Sequence, residues 1–260
     1  MNVKDMFDYL KNLAKSDMNG TDTLKCGSWE REIKKVVVCC IATVDVIKDA
    51  IEWGADLIIT HEPTFYDHMD CKLENDNITK EKLDLIEGSG ISIIRFHDYM
   101  HSCEPDMIGQ GEFHYLGIEG EFVKGREWAV NRFYCKEAIT PLELAKQIEE
   151  KLNIKHVRIC GARDVKCTNI SACFGAPGGV FEELRDEDVE IVLTGETCEW
   201  QIGEYVRDAA LLGHKKAMLV MGHIGSERDG MKYLAKILSE NFENIDIKYF
   251  ECDEVYSYTS

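Results

Sequence analysis

Histidine and carboxylate side chains stand directly after three apolar segments of this chain, and these residue types suit divalent transition metals. The three segments are DLIIT, ISIIRF and AMLVM, and the residues that follow them are His61, Glu62, His97, His101, His223 and Glu227. Open α/β sheets bind ligands at the carboxyl ends of their strands, where the loops into the helices gather. If the three segments are strands of such a sheet, their ends predict a metal site.

Each of these positions also has an ordinary structural explanation. A single histidine after a strand, such as His61, is more often a hydrogen-bonded loop residue than a ligand. His97 and His101 stand one helical turn apart, as two solvated histidines on a helix face would. Glu227 could lie in the first turn of the last helix, where the helix dipole favours an acid. The coincidence at three strand ends favours the joint interpretation as a metal site.

The elements that would position these residues alternate between strand and helix. Residues 33–42 (IKKVVVCCIA) form a nearly continuous apolar run, which is typical of a strand buried on both faces. Thr43 can cap the helix that follows, and Gly54 can end it. A strand at 56–60, a helix at 80–87 and a strand at 91–96 come next. Strand, helix and strand with short connections predict a parallel sheet.

A second α/β segment follows a stretch of glycines and polar residues from Glu104 to Arg126, where we place a lobe boundary. Thr140 to Glu143 (TPLE) form a capping box that opens a helix to about Leu152. Further strands are predicted at 128–135, 156–160, 170–174, 189–194, 217–221 and 245–250, with helices at 200–212 and 226–239. The prediction is an α/β protein of two lobes with mainly parallel sheets. Residues 1–122 and 214–260 would form the metal-binding lobe, and 123–213 an inserted second lobe.

Composition restricts the class of partner and the compartment. The chain has 260 residues with 48 acidic and 30 basic side chains, which gives a formal charge of −18. Such a surface repels phosphate backbones and anionic lipid, and the absence of a basic cluster argues against nucleic acid or a membrane as partner. The first fifteen residues have the pattern of an amphipathic helix rather than of a signal peptide, so we expect a cytoplasmic protein. The odd count of 11 cysteines, without a CxxC pair, predicts reduced, structural thiols.

Several segments resemble one known family in both motif and order. GADLIITHEPTFY resembles its GADLIITHHP segment, HDYMH is similar to its HTNLD, and GHIGSE is similar to its GHYATE, with GAPGG and TGE also shared. The family is that of the GTP cyclohydrolase 1 type 2 homologs, also called NIF-three-like or domain-of-unknown-function thirty-four proteins. The resemblance implies two α/β lobes around a central cleft that holds two metal ions.

The resemblance also implies a ligand set of three imidazoles and two carboxylates, namely His61, Glu62, His101, His223 and Glu227. Glu227 would bridge the two metals. Glu62 stands where the family has histidine, and His101 stands where it has aspartate. The two departures are opposite, so the ligand count and the formal charge are conserved, which favours a working site with exchanged ligand types. The family's early WDNxGLxxG segment is reduced here to TDTLKCGS, which leaves the role of that loop open.

Five protein ligands shared by two metals would leave coordination positions open, unlike a closed structural zinc site. A metal lowers the pKa of bound water towards ~7, so hydrolysis is the reaction we favour. His97 could then serve as a general acid or base, or it could be a solvated neighbour. The loop at 175–179 lacks the Lys-Ser/Thr signature of a phosphate loop, so we assign no cofactor-binding residue there.

The family label implies a small-molecule substrate, with a nucleotide such as GTP as the suggested class, and two divalent ions chosen from Zn, Fe, Mn and Co. It also implies a homo-oligomer, with a ring-shaped hexamer as the suggested form. The alternative is a non-enzymatic protein for metal binding or delivery, or a regulatory interaction protein. The sequence contains no pattern for guanine recognition that would decide between these classes.

Overall fold

The computed structural model describes residues 1–15, 20–125, 128–176 and 178–259. The chain divides into two compact units. Unit 1 comprises Met1–Met107 and Met231–Asp253, and unit 2 comprises Ile108–Gly230 with the tail from Glu254 onward. Both units are therefore discontinuous in sequence, and each is built around its own sheet.

Strands and helices alternate along most of the described residues. The strands are β1 Leu24–Cys26, β2 Lys35–Cys39, β3 Leu57–Thr60, β4 Ser92–Arg95, β5 Gly120–Lys124, β6 Asn131–Ile139, β7 Arg158–Gly161, β8 Cys167–Cys173, β9 Ile191–Thr194, β10 Ala217–Val220 and β11 Asp246–Tyr249. The helices are α1 Val3–Leu13, α2 Val44–Trp53, α3 Asn77–Ser89, α4 Asp98–His101, α5 Met107–Leu116, α6 Pro141–Lys151, α7 Val180–Arg185, α8 Glu204–Leu211 and α9 Arg228–Asn241.

The sheet of unit 1 has the strand order β1-β4-β3-β2-β11, and the predicted parallel core is confirmed. Strands β4, β3, β2 and β11 pair in parallel, whereas β1 pairs antiparallel with β4 at the edge. All four residues of β3 and of β4 are buried, which explains their continuous apolar sequence. Because β3 and β4 are adjacent and parallel, the loops that carry His61 and His97 leave the same edge of the sheet.

Local sequence signals set the helix ends of both units as expected. The Thr43 hydroxyl accepts the N–H of Val46 at the start of α2, and Gly54 ends that helix in the left-handed conformation. Thr140 and Glu143 form the predicted capping box of α6, with Pro141 at its first position. These helices needed no tertiary information for their placement.

The sheet of unit 2 has the strand order β5-β6-β8-β9-β10-β7 and is mixed rather than mainly parallel. Strands β8, β9 and β10 are parallel, but β5–β6, β6–β8 and β10–β7 pair antiparallel. The helix predicted at 200–212 begins as a π-helix, Glu199–Gly203, before α8 continues it. The α/β class is confirmed, and the departure lies in β5, β6 and β7, whose directions the periodicity of the sequence cannot give.

The predicted lobe boundaries differ from the observed units in three segments. The sequence places residues 108–122, residues 214–230 and the tail from Glu254 onward in the first lobe, but all three lie in unit 2. The physical reason is strand pairing, because β10 hydrogen-bonds to β9 and β7 of the second sheet. The stretch from Glu104, predicted as irregular, contains α5 and β5, and Ile108 and Phe113 of α5 are buried despite the glycines beside them.

Among the residues that the structure describes, none of the helices combines the length and the apolar character that a bilayer span requires.

Candidate metal centre

Three histidines of unit 1 lie together at the carboxyl edge of its sheet. His61 follows β3, His97 precedes the single turn α4 after β4, and His101 is the last residue of α4. One ring nitrogen of each lies within 4.8 Å of those of the other two. The ring centroids are 4.6 Å apart for His61 and His97, 5.1 Å for His61 and His101, and 4.8 Å for His97 and His101. His97, predicted as a catalytic residue, therefore stands among the residues that could bind a metal.

The turn that carries His97 and His101 is fixed by Asp22, a residue to which the sequence alone assigns no role. The buried Asp22 carboxylate accepts the backbone N–H of His97 at 2.8 Å, of Asp98 at 3.2 Å and of Tyr99 at 2.9 Å. It thus satisfies the free amides at the start of α4. Asp22 lies in the TDTLKCGS segment, so that loop has a clear role here. The one signal in the sequence is that the family's WDNxGLxxG segment also has an aspartate as its second residue.

Each ring of this trio has an acceptor at Nδ1. His61 Nδ1 lies 3.2 Å from the Phe96 carbonyl, His97 Nδ1 lies 2.7 Å from Asp98 Oδ1, and His101 Nδ1 lies 2.7 Å from Asp106 Oδ2. A neutral imidazole that donates from Nδ1 presents the lone pair of Nε2. Metal-binding histidines are oriented in this way by a carboxylate or a backbone carbonyl. The arrangement suits three rings that offer Nε2 to a cation.

The electrostatics of the trio keep His97 neutral at pH 7. Burial, reinforced by the neighbouring His61 ring, lowers the pKa of His97 to about 4. The hydrogen bond from His97 holds the pKa of the Asp98 carboxyl well below its usual range. A neutral ring has a proton on only one nitrogen, so the other nitrogen can bind a metal or accept a proton. A ring with both nitrogens protonated can do neither.

Glu62 lies beside the trio, on the residue after His61. Its Oε1 is 3.8 Å from His97 Nε2, and its side chain is 14% exposed. The other oxygen, Oε2, lies 3.6 Å from the guanidinium of Arg95, a fully buried residue for which the sequence gives no functional signal. Unit 1 therefore offers three imidazoles and one carboxylate that is shared with a cation.

Unit 2 also has residues of ligand type, in the loop after β10. His223 Nδ1 lies 2.6 Å from Glu196 Oε1, and His223 Nε2 lies 3.3 Å from Oε2 of the buried Glu227. Two ligand atoms that share one ion at about 2.1 Å lie roughly 3.0–3.4 Å apart. The spacing of His223 and Glu227 thus fits two ligands of one metal. Glu196 belongs to the TGE segment. The one signal for Glu196 in the sequence is that the family also has this segment.

Gly175 lets the loop after β8 of unit 2 pass close to Glu227. Gly175 has φ +69°, and a Cβ there would lie 2.2 Å from Glu227 Oε1 and 3.4 Å from His223 Nε2. Its N–H donates to the Ser226 hydroxyl at 2.9 Å. The glycine-rich segment therefore passes close to the carboxylate, and its backbone hydrogen-bonds to Ser226, the residue before Glu227. Pro177, in the middle of that segment, lies outside the described residues.

Comparison with known proteins agrees with these features. The model of the Duf34/NIF3 (NGG1p interacting factor 3) family matches residues 1–255. The chain belongs to the Duf34/NIF3 family, as its motifs had indicated.

Relatives and solved structures are similar to nearly the whole chain. A protein from Clostridium acetobutylicum called GTP cyclohydrolase 1 type 2 homolog is 26% identical over 253 residues, which cover 92% of this chain and 90% of the relative. The structural-genomics protein ybgI, of unknown function, is 21% identical with a TM-score of 0.82 over 98% of this chain and 100% of its own. Reduced HcgD from Methanocaldococcus jannaschii is 17% identical with a TM-score of 0.75 over 96% and 97%. At these identities the two structures support the fold alone.

Proposed function

We propose that this protein binds two divalent transition-metal ions and uses them to hydrolyse a nucleotide or a similar small molecule. The proposed ligands are His61, Glu62 and His101 in unit 1, and His223 and Glu227 in unit 2. The observation that carries the proposal is that every histidine of this set has an acceptor at Nδ1, which directs Nε2 to a cation.

The alternative for such an arrangement is an ordinary salt bridge with a protonated ring. His223 has a carboxylate at each ring nitrogen, so a proton on both nitrogens would also satisfy it. The trio of unit 1 argues against that alternative, because three adjacent imidazolium rings would repel one another, and His97 stays neutral. Neutral rings with fixed Nδ1 protons are the state that metals need.

A divalent ion at these ligands would supply Lewis acidity to a bound substrate. His97 then has the properties of a general base, since it is neutral at pH 7, half-buried and oriented by Asp98. The name GTP cyclohydrolase 1 type 2 homolog, carried by relatives from Clostridium acetobutylicum and Neisseria meningitidis, supports a nucleotide as the substrate class.

Metal content measured by plasma mass spectrometry tests the binding step. After reconstitution with Zn, Fe, Co or Mn, we expect up to two ions per chain. Glu227→Gln keeps the shape of the buried side chain and removes its charge, so it should lose at least one ion. Glu182→Gln, an acid of the same unit that lies outside the ligand set, is the matched control and should keep the parent's content. An equal metal content in all three proteins would mean that His223 and Glu227 form an ordinary salt bridge and bind no metal.

A turnover assay tests the enzymatic step separately. The metal-loaded protein is incubated with GTP, other nucleoside triphosphates and cyclic amides, and products are followed by chromatography. Metal-dependent turnover that is lost in His97→Gln, with metal content retained, supports hydrolysis with His97 as the base. Full metal binding without turnover on any of these compounds favours the non-enzymatic alternative of metal storage, delivery or regulation.

A further inference from the structure

Arg95 is a fully buried arginine beneath the histidine trio of unit 1. Its Nε donates to the His61 carbonyl at 2.9 Å, and its Nη1 donates to the His68 carbonyl at 2.5 Å. Its Nη2 lies 3.6 Å from Glu62 Oε2. One guanidinium therefore contacts the main chain of one predicted ligand and the side chain of the next. Two carbonyls hold its rigid fork, so its positive charge has a fixed place beside Glu62.

Arg95 lies in a buried cluster of opposite charges. Asp70 Oδ2 lies 3.7 Å from Arg95 Nη1 and 3.1 Å from Lys25 Nζ, and all three side chains are at most 6% exposed. Asp70 lies nearer to Lys25 than to Arg95, so the guanidinium also acts on Glu62 and on Asp98. A buried guanidinium keeps its proton and needs such partners. The negative charge of Glu62 is therefore compensated within the protein.

This compensation changes the character of the metal site. A free carboxylate would draw hard, oxygen-seeking ions such as Mn²⁺, whereas imidazole suits Zn²⁺, Fe²⁺ and Ni²⁺. Within unit 1, the ligand-type residues that are grouped with one another or with Glu62 are the rings of His61, His97 and His101. The unit 1 site then has the selectivity of an imidazole site, despite the carboxylate in its sequence.

We propose that Arg95 is a positioning residue that orients Glu62 and sets the metal selectivity of unit 1 in favour of Zn²⁺ over Mn²⁺. The inference rests on the proposed metal-binding function and adds to it the residue that decides which ion is preferred. The guanidinium of Arg95 attracts Glu62 Oε2 as an ion-pair partner at 3.6 Å, while Glu62 Oε1 lies 3.8 Å from His97 Nε2. Arg95 itself is too deeply buried to touch a substrate or a metal.

The test compares Zn²⁺ and Mn²⁺ affinities by competition with a chelating dye, together with the visible absorption spectrum of the Co²⁺-loaded protein. Arg95→Met frees the charge of Glu62, so the Mn²⁺ affinity relative to Zn²⁺ should rise about tenfold or more. Glu62→Gln should weaken both ions by a similar factor, with the affinity ratio within about threefold of the parent's, because the lost charge was already compensated.

A conservative variant and a matched control variant complete the test. Arg95→Lys keeps the cation but not the fork, so the Co²⁺ spectrum should change while the Zn²⁺ to Mn²⁺ ratio stays near the parent's. Arg31→Met is the matched control. Arg31 belongs to the same unit and also donates hydrogen bonds to a carbonyl, that of Gly90, and to a carboxylate, that of Asp56. It should leave the spectrum and the ratio unchanged. If Arg95→Met does not fold, Arg95→Lys and Glu62→Gln decide the question.

The outcomes separate this inference from the function on which it rests. If the parent protein binds neither ion, the proposed function fails and the inference falls with it. If the parent binds metal but Arg95→Met keeps its ratio and Co²⁺ spectrum, only the role of Arg95 is overturned. A tenfold loss of Mn²⁺ relative to Zn²⁺ in Glu62→Gln would also overturn it, because Glu62 would then act as an uncompensated anion.

Discussion

The metal-free protein should lose stability on mild acidification because of His97. The perturbation is a fall in pH from 6.5 to 4, applied to chelator-treated parent protein and to His97→Gln. Burial and the neighbouring His61 lower the pKa of His97 from its ordinary value of 6.5 to about 4. In the unfolded chain the ring takes up its proton near pH 6.5, whereas in the folded chain it stays neutral until about pH 4.

The sign and size of the effect follow from this difference in proton uptake. Between the two pKa values the unfolded state binds the extra proton, so the free energy of unfolding falls as pH falls. One pKa unit corresponds to about 1.4 kcal/mol, so the loss from His97 has an upper limit of about 3 kcal/mol across the window. Asp98, whose pKa is held low by His97, loses its stabilising effect only below its ordinary pKa near 3.8. The window above pH 4 therefore reports His97 separately from Asp98.

Urea unfolding followed by circular dichroism, at half-unit steps of pH, measures the effect. The parent should lose about 1–3 kcal/mol more between pH 6.5 and 4 than His97→Gln, whose side chain does not titrate. The control is His214→Gln, an exposed histidine of unit 2, which should follow the parent. Equal pH slopes for the parent and His97→Gln would refute the reasoning, because burial would then not be what keeps the ring neutral.

Three further predictions concern the partners of the ligands and the local signals. Asp106→Asn should weaken Zn²⁺ binding about 10–100-fold in a chelator competition, because the carboxylate orients His101 through Nδ1; an unchanged affinity would contradict that role. Gly175→Ala should lower the metal content of the protein and destabilise it by about 1–2 kcal/mol, since its Cβ would collide with Glu227 and its φ is positive; parent-like metal content and urea midpoint would contradict this. Thr140→Ala should cost about 0.5–2 kcal/mol in urea unfolding with metal content unchanged, because only the α6 cap is lost; lost metal would show that the cap acts beyond its helix.

The sequence by itself determined the class of the protein, the ends of several helices and the positions of the ligand-type residues. Continuous apolar runs such as residues 57–60 predict buried parallel strands, and β3 occupies those residues. Thr43 and Thr140 fixed the starts of α2 and α6 because a cap acts within one turn of its own helix. Motif order was sufficient to indicate the family that the comparison established.

The tertiary structure alone decided how the candidate ligands are held and charged. Asp22 caps the turn at His97 from 75 residues away in sequence. Spacing along the chain also could not match Asp56 to the backbone of Lys34, or Glu196 to His223. The pairing of β10 with the second sheet placed His223 in unit 2, against the sequence-based boundary.

Charge shows the same division between sequence and structure. Counting ligands in the sequence gives Glu62 a full negative charge, and only the buried guanidinium of Arg95, 3.6 Å away, shows that this charge is compensated. Periodicity and caps are short-range effects that the local sequence contains. Electrostatic and hydrogen-bonding environments depend on atoms that are distant in the chain and adjacent in space, so they exist only once the chain has folded.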